Sequence, residues 1–167
     1  MRTKPTNMGD PRSWRGWGGS SFNVSFINPY TEAGPSADPS AHVCEPLDLP
    51  FGPHFIGWND FFGKYIAAGQ MHWNAVQPPG IAFVFALSDD LLAWSEPVFL
   101  RNSATKSSGV LEAYPALLDE VASEGRANID RVGQNTSYLY YMHSYSCNLT
   151  NFRCRDIWRQ RVGFAAA

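Results

Sequence analysis

The stretch Ile81-Ala-Phe-Val-Phe-Ala-Leu87 decides the fold. Side chains of an extended chain point alternately to opposite faces. One face therefore carries Ile81, Phe83, Phe85 and Leu87, and the other Ala82, Val84 and Ala86. Neither face is polar. Ser137–Tyr145 repeats the pattern, with Leu139, Tyr141, His143 and Tyr145 opposite Tyr138, Tyr140 and Met142. An antiparallel sheet with one side in water alternates apolar with polar residues, so these strands demand cover on both sides. Antiparallel meanders buried front and back arise where four-stranded sheets stack around an axis, as propeller blades do. A β-sandwich, which should alternate more cleanly, ranks second.

Working outward, six further segments are short, rich in β-branched or aromatic residues and bounded by Gly, Pro, Asn, Asp or Ser. They are Phe22–Ile27, His54–Trp58, Lys64–Ala68, Pro97–Leu100, Tyr114–Leu118 and Ile157–Phe164. Between two of them, Trp58-Asn-Asp-Phe-Phe-Gly63 reads as a hairpin turn, in which Asn59 and Asp60 can bond their own backbone. Short connections favour an antiparallel up-and-down topology. Gly and Pro together supply 26 of 167 residues (14 and 12), which leaves little room for helix. The expected class is all-β, built from antiparallel four-stranded blades. An internal echo supports it: Asp10-Pro-Arg-Ser-Trp14 and Asp90-Leu-Leu-Ala-Trp94 share Asp-x-x-x-Trp, each ahead of a strand. The Asp suits the cap of a single helical turn, and the Trp suits a plug folded back on the blade edge.

Bulk properties exclude other classes. Thirteen Lys and Arg against fifteen Asp and Glu give a net charge of -2. Nucleic acid and anionic membrane surfaces call for a concentrated basic footprint, so neither is an expected partner. Arg159 and Arg161 read instead as charges protecting a half-exposed edge strand. The longest apolar run is strand-sized, far short of a membrane span. His42, His54, His72 and His143 lack paired ligand spacing, and no phosphate loop or nucleophile elbow occurs, so no metal and no cofactor is expected. Sequons at Asn23, Asn135 and Asn148, with Cys147 and Cys154 spaced for a disulfide across a hairpin mouth, point to an extracellular protein. Cys44 is left over. The first residues carry positive charge without an apolar core, so the export signal is expected to lie outside this chain.

Longer motifs resemble a known superfamily. Ile81 through Ser-Asp-Asp-Leu91 and Trp94-Ser-Glu-Pro97 to Leu100 is similar to the strand, Ser-Asp-Asp-Leu, Trp-Ser-x-Pro, strand segment of five-bladed propeller glycosidases, the superfamily of glycoside hydrolase families 43 and 32. Tyr114-Pro-Ala-Leu-Leu-Asp119 with Tyr138-Leu-Tyr-Tyr141 resembles the inner strands of a following blade, and Asp156 to Phe164 its closing strand. The resemblance implies an incomplete five-bladed propeller: 9–30 the end of a preceding blade, 50–101 one full blade, and 110–164 most of the next. Propellers close with about four to eight blades, so the chain is expected to be the C-terminal portion of a larger ring, or truncated. Self-association would cover its open blade faces.

The same resemblance implies hydrolysis of glycosidic bonds in a polysaccharide or oligosaccharide by carboxylates at the starts of inner strands. Glu112, set in Val110-Leu-Glu-Ala-Tyr-Pro115, is the candidate general acid, since apolar and aromatic neighbours favour a protonated carboxyl. His54, Tyr114 and Trp58 are the candidate substrate contacts. A carbohydrate-binding or inactive propeller fragment is the alternative, because the acids required for turnover are not all present.

Overall fold

The computed structural model describes residues 4–28, 38–73, 80–103, 110–119, 131–133, 135–146 and 153–165. Strands dominate, three one-turn 3-10 helices interrupt them, and there is no α-helix among the described residues. The chain divides into two compact units, Met1–Asp48 and Leu49–Ala167.

The first unit holds a small hairpin of β1 (Arg15–Trp17) and β2 (Phe22–Ser25), paired antiparallel. Trp17 and Phe22 meet edge to face at 5.2 Å. The Cys44 side chain lies against Gly16 and leaves no room there for a Cβ. Asp10 accepts from the Arg12 amide at 3.0 Å and caps the turn Pro11–Ser13, the role its sequence context assigned.

In the second unit, β3 (Gly52–Asn59), β4 (Lys64–Trp73), β5 (Gly80–Ser88) and β6 (Val98–Asn102) form the expected antiparallel meander. It is not a closed four-stranded unit. A two-residue strand, β8 (Arg131–Val132), adds to the free edge of β3 in parallel, making a curled five-stranded sheet in the order β6-β5-β4-β3-β8. The pure meander expected from sequence fails here because two residues carry no periodicity to read. The second sheet has three antiparallel strands, β7 (Leu111–Leu118), β9 (Thr136–Ser146) and β10 (Arg153–Gly163), in the order β10-β9-β7. The structure is thus all-β with a half-barrel sheet; a ring of four-stranded blades is not seen.

Both faces of the central strands are covered. Phe55, Ile66, Ala68, Phe83 and Phe85 of the first sheet form a core with Leu117, Leu139, Tyr141 and Phe164 of the second segment, joined by Val132. Phe83, Ile66, Leu117 and Leu139 are fully buried, each contributing about 1.5–3 kcal/mol by removal from water. On the opposite face Ala67, Ala82, Val84 and Ala86 are equally closed off, not by another sheet but by Phe51, Met71, Trp73 and Trp94. Small residues leave room for these side chains, and the Phe51 ring lies against Gly69, where a Cβ would not fit. Trp94 reaches that face because Asp90 caps the turn before it, accepting from the Leu92 and Ala93 amides at 2.8 and 3.0 Å. Those bonds, Ala93 first, hold the Asp90 carboxyl below the usual range.

The β3–β4 turn also has a local cause. Asn59 Oδ1 accepts from the Phe62 amide at 2.9 Å, as expected of a turn Asn. Asp60 departs from its expected local role. It takes a two-pronged pair from Arg131 (Nε to Oδ2 and Nη2 to Oδ1, both 2.7 Å) and a bond from Trp58 Nε1 at 3.0 Å. The Arg131 bond is the main cause of a lowered Asp60 pKa.

Candidate functional site

Two strand irregularities build one surface feature. In β3 the register slips between Pro53 and Phe55, leaving His54 as an extra residue outside the ladder. In β7 it slips between Ala113 and Ala116, where Tyr114 and Pro115 stand opposite a single residue of β9. Pro115 has no N–H to offer the ladder, which explains why the break falls there. Bulges re-aim side chains, and here both throw a ring outward: His54 and Tyr114 meet edge to face at 5.2 Å and 86°. Tyr114 adopts φ 58°, a left-handed conformation that costs a non-glycine residue about 1–3 kcal/mol. Its amide, lost to the ladder, donates to Gln70 Oε1 of β4 at 3.1 Å. The result is an exposed aromatic edge, with Tyr114 61% accessible, held by a strained but hydrogen-bonded backbone.

Glu112 lies two residues earlier and faces the other way. It is buried between the sheets, where Arg101 Nη2 of β6 donates to Oε2 at 2.8 Å and His143 Nδ1 lies 3.4 Å from Oε1. Arg101 Nη1 also reaches Tyr141 Oη at 2.6 Å and Gln160 Oε1 at 3.2 Å, while its guanidinium covers the Tyr141 ring at 4.8 Å. Trp158 stacks on His143 at 3.9 Å with the rings nearly parallel. Both carboxylate oxygens are therefore engaged within the protein by groups that present donors or positive charge. A general acid must instead donate a proton to a leaving group. Such an arrangement neutralises a buried charge and ties the two sheets together.

The remaining candidates are scattered. Trp58 sits four residues beyond His54 on β3, about 13 Å along the strand, and is occupied with Asp60 and, edge to face at 5.0 Å, with Tyr65. It does not join the His54–Tyr114 edge. Asn23 and Asn135 are exposed. Asn148 and Cys147 lie outside the described residues, and with them the expected Cys147–Cys154 pairing; Cys44 is free and exposed.

Sequence reasoning missed Arg101, Gln70, His143 and Trp158. Arg101 carried a usable signal, as a lone cation directly after the apolar run Val98–Leu100 that must find a partner once the strand is packed. Gln70 carried none. In comparison with known proteins, the chain matches no family model, no curated protein and no solved structure.

Proposed function

We propose that the chain is a portion of a secreted, glycoside-hydrolase-like propeller whose described residues hold carbohydrate rather than cleave it. One observation carries this reading: two bulges on neighbouring strands present His54 and Tyr114 as a single exposed aromatic edge. A ring face offers the C–H side of a sugar an apolar surface, while an imidazole and a phenol supply hydrogen bonds to its hydroxyls. The propeller assignment is supported by how the sheets meet. Strand β7 packs on β3 and β4, whereas a groove of about 390 Å³ lies between β6 and β10 and is lined by Val98, Phe99, Leu100, Gln160 and Val162. Two sheets packed face to face through a shared core suit neighbouring blades. Secretion, sequon use and the Cys147–Cys154 bridge belong to the same proposal.

Hydrolysis in a complete ring is the second reading; Glu112 stands at the start of β7, but its pairing with Arg101 and His143 leaves the general acid to another residue. Titration calorimetry of the purified chain with arabinan oligomers tests the first. The expected result is measurable binding that His54→Ala or Tyr114→Ala abolishes; no binding, or binding indifferent to both changes, rejects it. Release of nitrophenol from aryl-glycosides by the purified chain would replace it with the second.

A further inference from the structure

Gln70 stands where an apolar side chain would suit the packing better. Register pairs Ala68 with Phe85 and Gln70 with Phe83, so Gln70 extends the inner row of β4 that Ile66 and Ala68 begin. A primary amide half-buried in such a row is costly unless its polar atoms are engaged. Its Oε1 accepts from the Tyr114 amide of β7 at 3.1 Å, 44 positions away in sequence. That amide can reach it because the bulge releases Tyr114 from the ladder. One polar group displaced from each sheet thus answers the other, where β7 packs on β4.

We infer that Gln70 is a positioning residue for the exposed edge: its side-chain carbonyl holds Tyr114 in the left-handed conformation that turns the ring toward His54. Pro115 disfavours the right-handed helical region for the residue before it. Tyr114 is left with the extended region, or with the left-handed one it occupies at φ 58°. Extended backbone is the less strained of the two, and it would return the Tyr114 side chain to the alternation of a regular strand. The 5.2 Å edge-to-face contact with His54 belongs to the left-handed state. The bond to Gln70 offsets the strain of that state, so the edge is a two-state element biased by one acceptor. This assignment rests on the reading of the edge as the surface that holds carbohydrate, and adds what keeps that surface assembled.

Gln70→Met and Gln70→Glu in the full chain test it, read by NMR and by calorimetry with arabinan oligomers. A nuclear Overhauser cross-peak between the His54 and Tyr114 rings reports the assembled edge without any ligand. Met keeps the length and suits the apolar row, but its sulfur is only a weak acceptor. The Met variant should lose the cross-peak and keep the thermal midpoint. Its arabinan binding should weaken about fivefold, the size of one hydrogen bond acting through the binding-competent fraction. Glu presents an oxygen acceptor at the same reach and should retain both cross-peak and binding. A cross-peak absent from the unaltered chain, persisting in the Met variant or lost in the Glu variant would overturn the assignment. So would a Met variant with a lowered thermal midpoint, or one that binds arabinan as tightly as the unaltered chain. If the unaltered chain binds no arabinan, the carbohydrate reading fails by itself, and the cross-peak still decides what Gln70 does.

Discussion

Arg101, on the edge strand β6 of one sheet, holds Glu112, on the edge strand β7 of the other, through an Nη2–Oε2 bond of 2.8 Å. Glu112→Gln keeps the volume but removes the charge. It leaves a partly exposed guanidinium with weaker partners, a loss of about 2 kcal/mol once water's access to Arg101 is allowed for. Urea unfolding should show it. A double-mutant cycle with Arg101→Met should give coupling of about 1–3 kcal/mol; additivity would mean the pair does not tie the sheets.

Tyr114 should be separable into a structural and a functional part. Tyr114→Gly relieves a left-handed backbone at φ 58° and gives up a largely exposed ring. Stability is expected to stay level or rise by up to about 1 kcal/mol, while arabinan binding disappears. Differential scanning fluorimetry beside calorimetry reads both. A large drop in thermal midpoint would show that the ring is structural.

Acid should weaken the turn held by Asp60. The carboxyl of Asp60 is lowered in the folded chain, first by its bond from Arg131. The unfolded chain therefore takes up this proton first as pH falls. The stabilisation is whole above the unfolded value of about 3.9 and is lost as pH drops through the folded one. Comparing Asp60→Asn with the unaltered chain in urea from pH 7 to pH 2.5, the difference should stay flat above about pH 5 and shrink below pH 4. A difference that grows in acid would contradict the assignment.

Trp94 gives a graded pair. Its ring covers Ala82, Val84 and Ala86, yet its buried Nε1 finds no hydrogen-bond partner. Trp94→Ala should cost about 2–4 kcal/mol through lost cover. Trp94→Phe should cost clearly less, because it also removes an unsatisfied donor. Equal costs in chemical denaturation would mean the indole N–H is satisfied in solution.

What could be read from the sequence follows from what repeats along it. Ile81–Leu87 announced a strand covered on both sides because its alternation is local, and Asp10 and Asp90 announced their turns because a cap bonds residues two or three positions away. The nature of the second cover was not legible: Phe51 and Trp94 do the work expected of a neighbouring blade, and only packing reveals that choice. His54 and Tyr114 were singled out together, and Pro115 hinted at the break beside Tyr114. The partners of Glu112 were hidden, since Arg101 and His143 come from other strands and meet it only after the sheets close.

The short parallel pairing of β8 with β3 has a consequence for how the chain is made. Arg131 clasps Asp60 across 71 positions of sequence, so the edge of β3 stays bare on a growing polypeptide until the stretch that follows β7 has left the ribosome. A nascent chain stalled before that point would offer a ready-made template for aggregation, and release of the remaining residues is the event that seals it.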